Sequence, residues 1–156
     1  MPYDVQIKHG RLAMMAVVGI LVSESFHPFY GGLVGGPAVD HFHKIEIIEP
    51  GFWLVPLTLT GAFEAFSILT AWAPREETKG TVGWLKGSYV PGDLGFDPLG
   101  LSPKGGIYSK EWKEMRTKEL SNGRLAMLAV AGIIGQELVD GKTVLEHFLG
   151  PPLIIG

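Results

Sequence analysis

There is no cysteine among the 156 residues of this chain, which excludes disulfides, cysteine-based zinc sites and thiolate nucleophiles. Charge is scarce too: Asp, Glu, Lys and Arg together make up 19%, against about 25% in a soluble domain. The few charges carry no basic excess. A formal net charge of −3 gives no support to nucleic-acid binding, which needs a basic face. No H-E-x-x-H, phosphate loop, G-x-G-x-x-G or Ser-His-Asp arrangement occurs, so no enzymatic motif stands out. Met1-Pro2-Tyr3-Asp4 lacks the basic n-region of a secretory signal. In place of all these the chain has 46% apolar residues and 22 glycines, with a mean hydropathy of +0.24. Its length allows one domain, over residues 1–156, and its composition points to a membrane protein.

The distribution of charge sharpens that reading. Fifteen of the 29 charged residues, eight of them basic, lie between Arg75 and Glu119. Three other stretches are almost free of charge. Gly51 to Ala73 carries only Glu64, and at 1.5 Å per residue it reaches about 34 Å, enough to cross a bilayer core of about 30 Å. Pro56 falls in its first turns, where a missing N–H is tolerated. Leu12–Val22 and Leu125–Gly135 are each too short to span alone. Extended backward through polar residues that can share a helical face, they become 4–26 and 110–139, with Pro28 and Gly141 as stops. The expected fold is therefore all-α, with three transmembrane helices near 4–26, 51–73 and 110–139. Basic residues in the 75–118 connection assign it to the more positive side, and three crossings put the N-terminus there as well. His41-Phe42-His43 reads as part of a loop rather than as a metal site.

An internal repeat links the two shorter helices. Gly10–Leu21 (GRLAMMAVVGIL) and Gly123–Ile134 (GRLAMLAVAGII), offset by 113, share nine of twelve residues, and the other three are apolar exchanges. Two copies are too few for a solenoid; helices packed about a pseudo-two-fold axis fit better. Small residues recur every third place, at Gly10, Ala13, Ala16, Gly19 and at Gly123, Ala126, Ala129, Gly132. Such a stripe permits close backbone approach or leaves room for flat ligands.

Each copy opens with an arginine, and a lone guanidinium near lipid needs a partner. Glu119 and Gln6 each sit five residues before the arginine of their own helix, about 140° away in net rotation, so they are misplaced for pairing within one helix. Across helices, Arg11 would pair with Glu119 and Arg124 with Gln6. The second pair is only half charged. Gln6 and His9 share a face, as do Glu119 and Asn122, and Gln136 returns to nearly the face of Asn122 four turns on. All are side chains with oxygen or nitrogen lone pairs.

The segment Glu119-Leu120-Ser121-Asn122-Gly123-Arg124-Leu125-Ala126-Met127, its echo Gln6-Ile7-Lys8-His9-Gly10-Arg11-Leu12-Ala13-Met14 and the loop Gly95-Phe96-Asp97-Pro98-Leu99-Gly100-Leu101 resemble the light-harvesting chlorophyll-binding protein family over essentially the whole chain. IKHGRLAM and GQELVDGKTVLEHF are most similar to its chlorophyll a/c antennas, the fucoxanthin- or peridinin-binding group of algae with red-lineage plastids. The resemblance implies a non-enzymatic, multi-pass antenna in the chloroplast thylakoid membrane. Such an antenna holds chlorophyll a, chlorophyll c and carotenoids of the peridinin or fucoxanthin type. It passes excitation energy to a photosystem core, I or II, beside neighbouring antenna subunits and membrane lipids. Chlorophyll magnesium is a hard cation that takes an oxygen or imidazole as its axial ligand. Matched residue by residue, the resemblance implies such ligands at His9, Glu64, Glu119, Asn122 and Gln136, with further pigment contacts at Gln6 and His147. Gln6 stands where the family has glutamate, so no anion neutralises Arg124. Glu64 lacks the arginine that some members carry three residues on and has Ser67 there, which leaves a carboxylate in mid-span calling for a metal or a proton. His147 lies in an amphipathic tail near 142–149, and His27, just past the first helix, reads as a solvated loop histidine, with a pigment ligand as the alternative. A second FDPLGL-like loop, which in the family helps to hold a carotenoid end, does not precede the first helix here. Two other functions compete with light harvesting: a photoprotective, energy-dissipating relative with few pigments, and a proton-coupled carrier using Glu64 and the buried arginines.

Overall fold

The structure, a computed structural model, describes residues 2–26, 32–74, 85–103 and 105–150; His27 lies outside them. Among the described residues five α-helices follow one another: α1 (Pro2–Ser25), α2 (Ala38–Ile48), α3 (Leu54–Ala71), α4 (Lys110–Asp140) and α5 (Val144–Leu149). Among the described residues there is no strand, and a single bridge joins Trp72 to Leu85. Among the described residues the fold is all-helical.

Local chemistry accounts for the ends. The Ser109 hydroxyl accepts from the Trp112 N–H at 3.2 Å to start α4, and Gly141, at φ +63°, supplies the left-handed residue that stops it. Thr143 and Glu146 cap α5 reciprocally. Pro37 precedes α2 in an extended conformation and Asp40 lies in its first turn. His41-Phe42-His43 is therefore helical, not a loop. The loop reading failed because AVDHFHKIEII mixes polar and apolar residues along a short segment whose helicity depends on what it docks against.

Two helices, Tyr3–Ser25 and Leu54–Ala71, are long and apolar enough to cross a membrane. At 31 residues, α4 would reach about 46 Å, but its first half is highly charged and it does not meet the same apolar standard. The buried hydrophobic core is small, with Ile7, Ala13, Leu120 and Ala126 at its centre, whereas Leu12, Met15, Val18, Leu57, Phe63, Leu69, Leu125 and Leu128 face outward. Apolar surface on this scale needs lipid or ligand to cover it.

The helices α1 and α4 pack against each other with their backbones touching at Gly10 and Gly123. A Cβ on Gly10 would lie 3.0 Å from Gly123 Cα, and one on Gly123 would lie 2.9 Å from Gly10 Cα. Around this point buried Ile7 and Ala13 on α1 match buried Leu120 and Ala126 on α4, each pair again 113 apart. A Cβ at Gly19 or Gly132 would meet nothing within 4 Å, because nine residues turn a helix by a net angle of about 180° and carry these two glycines to the side away from the crossing. Beyond it the offset recurs in Glu24 and Glu137, 7% and 3% exposed. Glu24 Oε2 accepts from the Val144 N–H of α5 at 3.0 Å, and Glu137 Oε2 accepts from the Val39 N–H of α2 at 2.9 Å. Each long helix thus places a carboxylate at the positive end of a short helix that follows the other.

Helix α3 stands apart. Among the described residues, none of its Cα atoms comes within 8 Å of another helix. Its C-terminal end is held by Lys86, whose N–H donates to Ala71 O at 2.9 Å and whose Nζ donates to Leu69 O at 2.8 Å and Thr70 O at 3.0 Å.

Candidate functional site

Polar side chains at the α1–α4 crossing exchange partners between the two helices. Arg11 Nε donates to Glu119 Oε1 at 2.6 Å, and Arg124 Nη2 donates to Gln6 Oε1 at 3.1 Å. Shifting either contact by the repeat offset produces the other. Both are crosswise because a five-residue step carries each side chain off the face of its own helix's arginine and toward the neighbouring helix. A charged hydrogen bond on one side faces a charge–amide bond on the other, so the crossing is electrostatically lopsided. Asp4 leaves Arg124 alone: it is buried and its Oδ1 accepts from the Tyr89 hydroxyl at 2.9 Å and the Gly92 N–H at 3.3 Å. Burial and the Asp4 carboxylate beside it push the Tyr89 hydroxyl above the ordinary tyrosine range.

Several of the lone-pair side chains spend one atom inside the protein and keep another free. His9 Nδ1 lies 2.8 Å from Val5 O; a proton on Nδ1 satisfies that carbonyl and leaves Nε2 bare. Glu119 keeps Oε2 after giving Oε1 to Arg11. Asn122 is exposed and makes no side-chain hydrogen bond to another described residue. On α3, Glu64 Oε2 lies 3.1 Å from Lys8 Nζ, which also donates to Ser67 Oγ at 2.7 Å. The carboxylate expected to be free in mid-span therefore has a cationic partner, contributed by another helix.

Gln136 and His147 meet at the far end of α4. The amide Nε2 of Gln136 donates to Asp140 Oδ2 and lies 3.1 Å from His147 Nδ1, while Asp140 Oδ2 lies 2.9 Å from His147 Nδ1. A proton on Nδ1 serves the carboxylate and leaves Nε2 open, an arrangement common where a carboxylate orients a metal-binding imidazole. The donor set as a whole, oxygens and imidazole nitrogens with one open valence each, fits a hard cation that needs a single axial ligand. Among the described residues no three acidic or histidine side chains gather to hold a bare metal ion.

A cavity of about 540 Å³ adjoins the crossing, bounded by Arg11, Glu119, Phe63, Trp112 and the loop Pro91–Asp97. Asp97 organises this loop by accepting from the Leu101 and Ser102 N–H groups at 3.0 and 2.9 Å. Its hydrogen bonds to Ser102 and Leu101 hold its carboxyl below the usual carboxylate range. Arg116 stacks over Trp112, 4.8 Å from the ring centre, and donates to Pro91 O at 3.2 Å, which ties the loop to α4.

Three residues that matter here were missed on reading the sequence. Carrying the repeat three residues past Leu21 and Ile134 would have reached Glu24 and Glu137. Lys8 had no such signal, because its role depends on where α3 lies.

Comparison with known proteins bears on this arrangement. Residues 3–138 match the family model described as chlorophyll A-B binding protein. The chain is 42% identical over 149 residues to the light-harvesting complex stress-related protein 1, chloroplastic, of Chlamydomonas reinhardtii, covering 92% of this chain and 56% of that protein. It is 43% identical over 141 residues to the fucoxanthin-chlorophyll a-c binding protein, chloroplastic, of Isochrysis galbana, covering 90% and 64%. With the photosystem I chlorophyll a/b-binding protein 3-1, chloroplastic, of Arabidopsis thaliana it shares 45% over 168 residues, covering 94% and 59%. The chain spans between about half and two thirds of the length of these relatives.

Proposed function

The chain belongs to the chlorophyll A-B binding protein family, and from that premise we propose that it is a light-harvesting antenna of the chloroplast thylakoid membrane. In this reading residues 1–156 form one domain that crosses the membrane three times, through α1, α3 and α4. The helices α1 and α4 are related by a pseudo-two-fold axis near Gly10 and Gly123, and α5 lies amphipathic at the surface. Glu119, His9, Asn122, Glu64 and Gln136 serve as axial ligands to chlorophyll magnesium, with Gln6 and His147 as further pigment contacts. The ion pair Arg11–Glu119 and the Arg124–Gln6 bond brace the crossing.

The observation that carries this reading is the half-used donor set. A polar side chain that faces lipid has no water to complete its hydrogen bonds and, with no ligand to serve, would turn every lone-pair atom to a partner in the protein. His9 and Glu119 instead spend one atom on the protein and keep one lone-pair atom free. Bound chlorophyll supplies absorption and energy transfer; the chain supplies anchoring, orientation and exclusion of water. Arg11 fixes the rotation of the Glu119 carboxylate. The Val5 carbonyl sets the ring of His9. The cavity beside the 91–97 loop receives a carotenoid end group against Trp112 and Phe63. Chlorophyll a and c, with carotenoids of the fucoxanthin or peridinin type, are the pigments proposed, and a photosystem core, adjacent antenna subunits and lipid are the partners.

The similarity to a stress-related protein favours a second reading, an energy-dissipating relative. Pigment extraction from the purified full chain, together with its fluorescence lifetime, separates the two. Harvesting requires several chlorophylls per chain and a long-lived excited state; dissipation requires a short-lived one at equal pigment content. A chain that takes up no chlorophyll on reconstitution overturns both.

A further inference from the structure

We propose that Lys8 is the positioning residue of the α3 pigment site: an ammonium from α1 that holds one oxygen of Glu64 and aims the other at a magnesium. This rests on the reading of Glu64 as an axial ligand and adds the group on which that ligand depends.

Glu64 is the single charge in the 51–73 stretch, and a carboxylate in mid-span calls for a partner. A cation on its own helix at the next turn would solve this, but Ser67 stands there. Ser67 is fully buried and accepts from Lys8 Nζ at 2.7 Å, while the same Nζ lies 3.1 Å from Glu64 Oε2. One ammonium is thus shared between two positions on the same face of α3, one turn apart. Both donations are directional, so Lys8 sets the rotation of the carboxylate. Glu64 Oε1 stays uncommitted, an anionic oxygen on a side chain that is half exposed toward whatever surrounds α3.

The placement of the helices makes this bridge consequential. No Cα atom of α3 approaches another helix within 8 Å, so at the level of Glu64 the geometry comes from a side chain and not from backbone packing. The repeat supports the same conclusion. Lys8 and Ser121 are equivalent under the 113-residue offset, and the surrounding residues Ile7/Leu120, His9/Asn122 and Gly10/Gly123 keep their chemical type far better than this pair. A lysine stands on the copy that reaches α3, and a serine on the copy that does not. Ligand charge at Glu64 is therefore supplied in trans, and the pigment on α3 is retained only while α1 holds its register.

The test is pigment reconstitution of the full chain, counting chlorophylls per chain and recording the melting temperature of each product. Glu64→Leu and Lys8→Met should each lose the same single chlorophyll, seen as one difference band in absorption, and the double variant should lose no more than either. Lys8→Arg should retain it. Lys8→Met combined with Ser67→Arg should recover it, because the cation then arises three residues along α3 itself. Loss from Glu64→Leu with full retention in Lys8→Met overturns the role of Lys8 and leaves the antenna reading standing. Full retention in both overturns the ligand role of Glu64 and this inference with it. A wild-type chain that binds no chlorophyll overturns the antenna reading itself. If Lys8→Met sheds every pigment and Ser67→Arg restores none, Lys8 is a structural tether and the proposal fails.

Discussion

Gly123→Ala probes the crossing most directly, because one methyl group is set against a known gap. The added Cβ would sit 2.9 Å from Gly10 Cα, whereas non-bonded carbons prefer about 3.5–4.0 Å, so the helices must part by about 0.6–1.1 Å at this point. The two polar links respond unequally. Arg11–Glu119 starts at 2.6 Å and would reach about 3.2–3.7 Å, within hydrogen-bond range over most of that span, but Arg124–Gln6 starts at 3.1 Å and is carried past it, to about 3.7–4.2 Å. Overpacking costs about 1–3 kcal/mol and the lost bond to a charged group about 1.5–3 kcal/mol. Alanine returns about 0.5–1 kcal/mol of helix preference over glycine. The net loss is about 2–5 kcal/mol, or roughly 4–20 °C in melting temperature at about 2–4 °C per kcal/mol for a chain of this size. Melting of the reconstituted protein, followed by far-ultraviolet circular dichroism, measures it. Gly132→Ala is the control, the same change about two and a half turns further along the same helix, where a Cβ would meet nothing within 4 Å. It should be neutral or slightly stabilising. Equal melting temperatures for the two variants would refute the argument that backbone contact at Gly10 and Gly123 sets the geometry.

Glu119→Gln leaves Arg11 without a counter-ion and should cost about 3–5 kcal/mol together with one chlorophyll; unchanged pigment content and melting would show that the pairing and the ligand role are both wrong. Gln6→Glu turns the charge–amide contact with Arg124 into an ion pair and should raise the melting temperature with no chlorophyll lost, so a lower value would mean that the amide suits its surroundings better than a carboxylate. Tyr89→Phe removes the hydroxyl that donates to buried Asp4 and should cost about 1.5–3 kcal/mol, the worth of a hydrogen bond to a charged group. The Tyr89 hydroxyl titrates above its ordinary value of about 10. Its stabilisation is therefore whole below that pH and lost as pH rises through the higher folded value. The wild type should show this alkaline loss and Tyr89→Phe should lack it; identical alkaline profiles would remove Tyr89 from the account.

The placement of α4 was legible because both ends carry local signals, Ser109 as a hydroxyl cap and Gly141 as a left-handed stop, which act through the nearest few residues. The interior charge of α3 was equally plain, since a lone Glu64 interrupts an otherwise apolar run. Less could be read of α2, whose helix forms from a mixed segment with Glu137 of α4 bonded to its first turn. A cap donated from roughly a hundred residues away leaves no trace in the local sequence.

By itself the sequence determined what depends on spacing along one chain: the three long helical stretches, the repeat, and the glycine and arginine positions at which two similar helices could meet. It also determined that Arg11 and Arg124 must look outside their own helices, because the helical pitch turns Glu119 and Gln6 away from them. Tertiary structure alone decided who meets whom across the space between helices. Lys8 answers the charge of Glu64, Asp4 is taken up by Tyr89 and Gly92, and Gln136 shares Asp140 with His147. The physical reason is one of range. Capping, periodicity and backbone conformation are fixed by neighbours within a few residues, whereas neutralising a charge in a medium without water needs whichever partner the packing brings within about 3 Å.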